Sequence, residues 1–142
     1  MEKIDDARPA ESSSDGRRER GIRAYARIFG VAEKDVPAAM AARVGPLFAE
    51  EAFASAGGPA WSHPGLTPRD RSIAIITALA AQGVTGERLD THLRLAAEHG
   101  LDHDALAALM TLLAIYIGYA HASAAMESVQ NTGSSDPSTR YQ

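Results

Sequence analysis

The uncharged stretch from Ala105 to Met126 constrains the fold of this chain more than any other feature. It is long enough for a transmembrane helix, which needs about 20 predominantly apolar residues. However, it is rich in alanine, contains Thr111 and His121, and has no cluster of Lys or Arg at either end of the kind that anchors a span. It therefore predicts a buried helix of a soluble protein that does not associate with a membrane.

The composition favours an all-α fold. Of the 142 residues, 45% are hydrophobic but only 6% are aromatic, and alanine, the strongest helix former, supplies much of the difference. Strands are instead enriched in β-branched and aromatic residues. The length fits one domain with a core of its own. We predict one helical domain over residues 17–130, between disordered tails at 1–16 and 131–142 that are rich in polar residues, Gly and Pro.

Charge and cysteine content exclude several functions. The net charge of −4 includes no sequence-wide basic footprint, so no nucleic acid partner is expected. The chain has no cysteine, which excludes disulfides, thiolate nucleophiles and thiolate metal sites. The N-terminal segment is polar and acidic and lacks the apolar region of a signal peptide, so we expect a cytoplasmic location.

Helix starts and stops divide the domain further. The alanine-rich sequence "EKDVPAAMAARVGPLFAEEAFASAGG" is interrupted at Pro46, which predicts two shorter helices or one kinked helix. The segment "PAWSHPGLTPRD" has no hydrophobic period and is predicted to be an ordered loop. Thr67 is the predicted N-cap of a helix that closes at Gly83. Another helix ends at Gly100, and the last begins at Asp102 and continues through the uncharged stretch.

Histidines supply the candidate chemistry. The segment "ERLDTHLRLAAEHG" places Arg88, His92 and His99 near one helix face, because offsets of three, four and seven return to the same side. An imidazole among apolar neighbours can act as an acid or a base. The alternative is a structural histidine bonded to a backbone carbonyl. No metal site is predicted, since no cysteine is present and the ligands would have to converge from distant segments.

Two further groups of residues allow both a functional and a structural interpretation. Tyr116, Tyr119 and His121 lie late in the predicted last helix, where the spacing places the two tyrosines close together. They are either part of a reaction site or core aromatics beside a histidine at a subunit contact. The segment "WSHPG" carries Trp61 and His63, and it is either a packed turn or part of a site.

Two arginines, Arg69 and Arg71, flank Asp70 at a helix start, where the helix dipole disfavours cations. This mismatch predicts a carboxylate partner, either on the protein or on an acidic ligand.

Three segments in order carry a resemblance to a known family: "RRERGIRAYARIFG", "WSHPGLTPRDRSIAIITALAAQG" and "THLRLAAEHGLDHDALAALMTLLAIYIGYAHAS". Together they resemble the carboxymuconolactone decarboxylase family, within the alkylhydroperoxidase D-like superfamily, over roughly residues 17–130. The resemblance implies an all-α helical bundle that assembles into a homo-oligomer, a trimer or a hexamer. It also implies that His92 holds the position of the active-site histidine. The CxxC pair of the peroxidase branch falls on Thr85 and Arg88, so thiol peroxidase activity is excluded.

The resemblance implies a cofactor-free, metal-free enzyme that moves protons on a small conjugated keto or lactone substrate. His92 would supply or relay the proton, with His121, His63 and Tyr116 as proton donors or oxyanion partners. Four further residues are expected to bind the substrate: Arg71 as an anion holder, Trp61 as a wall, Tyr119 and Arg88.

Several departures from the family pattern point to a rebuilt pocket. Pro59 stands where the family has glutamate, His63 where it has arginine, and His99 where it has asparagine; Ala120 replaces a proline and His121 an alanine. We therefore expect a less anionic substrate, acted on by a decarboxylase or by a cyclase or isomerase that uses the same enolate chemistry, in secondary metabolism or elsewhere. The alternative is a catalytically retired family member that binds a small molecule or serves as a scaffold.

Overall fold

The computed structural model describes residues 14–133, which form helices joined by short connections. The helices are α1 (Ser14–Phe29), α2 (Val36–Val44), α3 (Pro46–Ala56), α4 (Pro59–Ser62), α5 (Pro68–Ala81), α6 (Glu87–Glu98), α7 (His103–Ile117) and α8 (Tyr119–Gly133), with a 3-10 turn at Glu33–Asp35. No strand occurs in this range, so the predicted all-α fold is confirmed. Most of both predicted tails, residues 1–13 and 134–142, lies outside the described residues, whereas 14–16 and 131–133 are helical.

The chain forms two compact units, the first ending at His63 and the second beginning at Pro64. In the first unit, α1 packs on α3 and α2 packs on both. The core consists of apolar side chains from these three helices: Ile22, Ala26, Val36, Met40, Ala49 and Phe53. The interruption at Pro46 resolves into two separate helices, because Gly45 between them has a positive φ of 84°.

A close approach of α1 and α3 depends on Gly21. This residue is buried, and a Cβ atom built on it would overlap the backbone carbonyl of Phe53 in α3. Any larger residue at this position would push the two helices apart.

We therefore expect Gly21→Ala to destabilise the protein, although alanine is usually favoured over glycine inside a helix by about 1 kcal/mol. Overpacking of this kind costs roughly 1–3 kcal/mol. Urea unfolding followed by the fluorescence of Trp61, the sole tryptophan, would measure the loss. The exposed Arg23→Ala in the same helix is the control and should change stability by less than about 0.5 kcal/mol. A stabilised Gly21→Ala variant would show that the helices can separate without cost.

The segment predicted to be a loop contains one helical turn, α4. Its backbone bonds run from the amide of His63 to the carbonyl of Pro59, at 2.7 Å, and from the amide of Trp61 to the carbonyl of Gly58, at 3.3 Å. Pro59 fits the first position of this turn, where no amide hydrogen is needed. Pro59, which suggested irregular structure in the sequence, thus begins a short helix instead.

In the second unit, α5 begins as predicted. The Asp70 amide donates to Thr67 Oγ1 at 3.1 Å, and the Thr67 amide donates to Asp70 Oδ2 at 2.9 Å. This capping box satisfies backbone donors that the first helical turn leaves unpaired. α5 then packs on α6 and α8, and α7 packs on α8. The core of the unit draws on all four helices: Ile76, Ala80, Leu89, Leu93, Ala96, Leu106, Met110, Leu113, Ala125 and Val129, with Leu101 between α6 and α7.

The predicted last helix is in fact two helices. α7 ends at Ile117 and α8 begins at Tyr119, because Gly118 between them has a φ of 91° and a ψ of 148°, which no helix can include. The prediction of one continuous helix was wrong at this point. Among the described residues, no helix is long and apolar enough to cross a membrane.

Candidate functional site

His92 lies in the second turn of α6 and is half-buried. Its neighbours on the helix, Leu89, Leu93 and Ala96, face the core of the unit. Within residues 14–133 the ring has no hydrogen-bond partner, in contrast to a histidine held by a backbone carbonyl. Burial lowers the pKa of His92 below the ordinary 6.5, because removal from water disfavours the charged imidazolium. At neutral pH the ring is therefore uncharged and able to accept a proton.

The lowered pKa predicts a dependence of stability on pH. The unfolded chain protonates His92 near pH 6.5, whereas the folded chain does so only at lower pH. The contribution of neutral, buried His92 to the free energy of unfolding is therefore fully present above pH 6.5 and is lost as the pH falls toward the lowered pKa. Urea unfolding at stepped pH should show this loss in the wild type and a smaller one in His92→Gln. The exposed His103→Gln is the matched control. Parallel pH profiles of the wild type and His92→Gln would contradict the prediction.

His121 lies in the first turn of α8 and is exposed. Its Nδ1 is 3.1 Å from the carbonyl oxygen of Ala81, at the end of α5. A carbonyl only accepts, so Nδ1 carries the hydrogen and, in the neutral ring, Nε2 is an acceptor. Nε2 lies beside Gly83, 3.1 Å from where a Cβ atom would be, so the absence of a side chain at Gly83 makes room for the imidazole.

A third histidine of the unit, His99, makes a contact that sequence reasoning missed. Its Nδ1 is 2.8 Å from the hydroxyl oxygen of Ser72, which is only 4% exposed. The bond joins the start of α5 to the end of α6 and provides the Ser72 hydroxyl with a partner. The two residues are 27 positions apart, and no spacing rule links them. The one available signal was the location of His99 on the same helix face as His92.

The Ser72–His99 bond also relates positions along α5 to positions along α6. It links the first half of α5 to the C-terminal end of α6, while a short connection joins Ala81 to Glu87, so the two helices run antiparallel. His92 lies about 10 Å along α6 from His99, and Ala81 lies about 13 Å along α5 from Ser72. Measured along the helix axes, His92 and the carbonyl that holds His121 are therefore at nearly the same level.

Tyr116 and Tyr119 flank the break at Gly118 and are 79% and 76% exposed. The interpretation of these tyrosines as core aromatics is therefore wrong for this chain by itself. Leu112 and Ile115 in α7 are also exposed and share a helix face with Tyr116. We call Leu112, Ile115, Tyr116 and Tyr119 the α7–α8 apolar face.

The arginines expected to bind substrate have different surroundings. The Arg71 Nη1 donates to the carbonyl of Leu66 at 2.6 Å. The hydrogen bonds from Thr67, and to a lesser extent the charges of Arg69 and Arg71, hold the pKa of Asp70 below its usual value. The carboxylate partner expected for Arg69 and Arg71 stays a prediction. Arg88 is exposed in the first turn of α6.

A family model described as "Carboxymuconolactone decarboxylase family" matches residues 46–131, more than half of the chain. The chain belongs to the carboxymuconolactone decarboxylase family. The family assignment made from the sequence is thus confirmed, and all eight predicted site residues lie within the matched range. A search of curated proteins and a search of solved structures found no significant match.

Two of the eight predicted residues in this family member belong to the first unit. Trp61 lines a cavity of about 350 Å³ whose other aromatic walls are Tyr25 and Phe48. His63 follows α4 and is exposed. The remaining six, His92, His121, Tyr116, Arg71, Tyr119 and Arg88, belong to the second unit.

The second unit of the family member also has a cavity, of about 470 Å³, on another side of α6. Asp90, Arg94 and Ala97 line it from α6, and His92 lies about 160° around the helix from Asp90 and Arg94. Among its described lining residues there is no predicted site residue. Among residues 14–133, no group of three or more His, Asp or Glu side chains is arranged to hold a metal ion.

Proposed function

We propose that this member of the carboxymuconolactone decarboxylase family is a cofactor-free enzyme that transfers protons on a small conjugated keto or lactone substrate. One observation carries the proposal: His92 is a half-buried imidazole with a lowered pKa and no hydrogen-bond partner among the described residues. A histidine that served only the fold would be expected to have a partner, whereas a proton-transfer residue needs a free ring nitrogen.

The reaction follows from the neutral state of this ring. In an isomerisation or cyclisation, His92 removes a proton from the carbon beside the carbonyl, and the C–H electron pair forms an enolate. His92 then returns the proton to another carbon of the conjugated system. In a decarboxylation, the C–C bond to the carboxylate breaks, carbon dioxide leaves with no electrons from that bond, and a proton relayed by His92 neutralises the resulting enolate carbon. Both routes need no oxidant.

His121 is the second proton-transfer candidate. The bond to Ala81 fixes its ring and leaves Nε2 as an acceptor in the neutral form. It is therefore better suited to receive a proton than to donate one until it becomes protonated. Tyr116 is proposed as a donor to the enolate oxygen, with Tyr119, Arg71 and Arg88 as binding residues.

A substrate with fewer carboxylates than a dicarboxylic lactone fits this member best. Arg71 already bonds to the Leu66 carbonyl, and His63 stands where the family has arginine. An arginine–carboxylate bond contributes roughly 1.5–3 kcal/mol, so its loss weakens binding of a second carboxylate. The roles of His63 and Trp61 toward such a substrate stay predictions.

The test is proton exchange in D₂O, because it detects enolate formation whether or not carbon dioxide leaves. Unsaturated lactones and conjugated keto acids with none, one or two carboxylates would be followed by proton NMR. We expect exchange by the wild type, roughly 100-fold slower exchange in His92→Gln, and a smaller decrease in His121→Gln. The wild-type rate should rise with pH through a midpoint below 6.5.

The exposed His103→Gln is the matched control and should react at the wild-type rate. Full turnover in both His92→Gln and His121→Gln would overturn the assignment. Saturable binding of these compounds without exchange would favour the retired family member that only binds a small molecule.

We also propose that the protein is a homo-oligomer, a trimer or hexamer, that buries the α7–α8 apolar face. Leu112, Ile115 and Tyr116 share an exposed face of α7, and Tyr119 is exposed at the start of α8. Large apolar side chains exposed in this way are unfavourable in water and typical of a contact between subunits. The family resemblance suggests the number of subunits.

Ile115→Glu should therefore dissociate the oligomer, because it places a charge in the buried centre of the contact. Sedimentation equilibrium would measure the molecular mass. The control is Leu47→Glu in α3, since Leu47 is 79% exposed and Ile115 is 76% exposed. A wild type that sediments as a monomer, or equal dissociation by both variants, would contradict the role of this face.

A further inference from the structure

We propose that the first unit binds a quaternary alkylammonium cation in a pocket formed by Tyr25, Phe48, Trp61 and Glu51, which we call the aromatic pocket. The inference does not rest on the proposed enzyme function, since the residues that define the pocket all belong to the first unit.

Three helices of the first unit build the aromatic pocket. α1 contributes Tyr25, α3 contributes Phe48 and Glu51, and α4 contributes Trp61. Small residues of α3, Ala52, Ser55 and Ala56, complete the lining. The volume of about 350 Å³ lies at the small end of ligand sites, which span roughly 300–1,000 Å³. It suits a compact ligand.

The aromatic walls carry the argument for a cation. The face of an aromatic ring is negative, so a ring that turns its face toward a cavity attracts a positive group, as in sites that recognise quaternary ammonium ligands. Tyr25 is fixed by stacking on Phe29, with ring centres 5.6 Å apart, and by an edge contact with Phe53 at 5.8 Å. Burial raises the pKa of Tyr25, so its ring stays neutral at physiological pH.

Glu51 supplies the complementary charge. It is the one ionisable carboxylate among the described lining residues, and no Arg or Lys lines the cavity there. Within residues 14–133 the Glu51 side chain has no ion pair. Its neighbour Glu50 differs, because Arg18 bonds to both of its carboxylate oxygens, at 2.6 and 2.9 Å. The pocket therefore presents an uncompensated negative charge beside three rings.

Cations already occupy other ring faces of the unit. The guanidinium carbon of Arg18 is 5.9 Å from the centre of the Phe53 ring, and that of Arg43 is 5.5 Å from the centre of the Phe29 ring. Neither arginine lines the aromatic pocket. Phe48 is 63% exposed and is not the partner in either of these contacts. A bound cation would give it the kind of partner that Phe29 and Phe53 have.

The polar groups of the pocket favour a quaternary ammonium over a primary one. A primary ammonium has three N–H donors that need acceptors, whereas a quaternary ammonium has none. The described lining offers one carboxylate, the hydroxyls of Ser55 and Tyr25 and the indole N–H of Trp61, and is otherwise aromatic and methyl surface. A methylated cation would lose less solvation on entering such a site.

The test uses the fluorescence of the full-length protein, because Trp61 is the sole tryptophan and lines the pocket. Choline is the probe, at constant ionic strength. Its control is the uncharged alcohol in which carbon replaces the quaternary nitrogen. We expect a saturable fluorescence change with choline and at least fivefold weaker binding of the alcohol.

Two variants that largely preserve the shape of the pocket test whether Glu51 and Phe48 contribute to cation binding. Glu51→Gln should weaken choline binding about threefold to tenfold, and Phe48→Leu should do the same because it removes a ring but keeps an apolar side chain. The matched control is Glu33→Gln, which removes an exposed carboxylate of the same unit outside the pocket and should leave binding unchanged.

Each contrary outcome overturns the proposal. Equal binding of choline and the uncharged alcohol would show an apolar pocket without preference for a cation. Equal weakening by Glu51→Gln and Glu33→Gln would show attraction to the net charge of the protein. The absence of any saturable change at millimolar choline would show that the pocket does not bind this class of ligand, and none of these results would affect proton exchange by His92.

Discussion

The positive φ of Gly118 determines where the chemical groups of the second unit lie. A residue with a side chain would be strained at a φ of 91°, so only glycine ends α7 here without cost. The chain then turns, the amide of Ala122 bonds to the carbonyl of Gly118, and α8 packs on α7 and α6. This return brings His121 to the carbonyl of Ala81. In one continuous helix, His121 would be carried away from the end of α5.

Helix boundaries marked by a local capping motif could be predicted from the sequence, whereas the break at Gly118 could not. The start of α5 follows from Thr67 and Asp70 alone, because a capping box is local. A glycine within a run of good helix formers is ambiguous, since many such glycines are tolerated inside helices. The burial of the uncharged stretch was overestimated for a different reason. Its hydrophobicity indicates a surface that needs to be covered but not what covers it. The four exposed side chains of the α7–α8 apolar face show that this chain by itself covers only part of that surface.

Three of the four histidines of the second unit, His92, His99 and His121, show what a sequence pattern can identify in a candidate site. His92 was found from its apolar helix and from the family resemblance, and it is the imidazole without a partner among the described residues. The bonds of His99 to Ser72 and of His121 to Ala81 join residues 27 and 40 positions apart. Such contacts arise from helix packing, so no local spacing could reveal them. The three imidazoles thus have different surroundings: one has no hydrogen-bond partner within residues 14–133, one contacts a hydroxyl and one contacts a backbone carbonyl.

Against the pattern of the resembled family, His63 stands in place of an arginine and Pro59 in place of a glutamate, so the proposed site has fewer fixed charges. A glutamate and an arginine hold fixed charges at neutral pH, and each fixed charge loses solvation when a substrate covers it. A neutral imidazole costs less to cover and still transfers protons in both directions near neutrality. His92 combines both properties: burial lowers its pKa, and the resulting neutral ring can accept a proton. For the proposed enzyme we therefore expect proton transfer on a less anionic substrate, since such a site needs fewer carboxylate-binding charges.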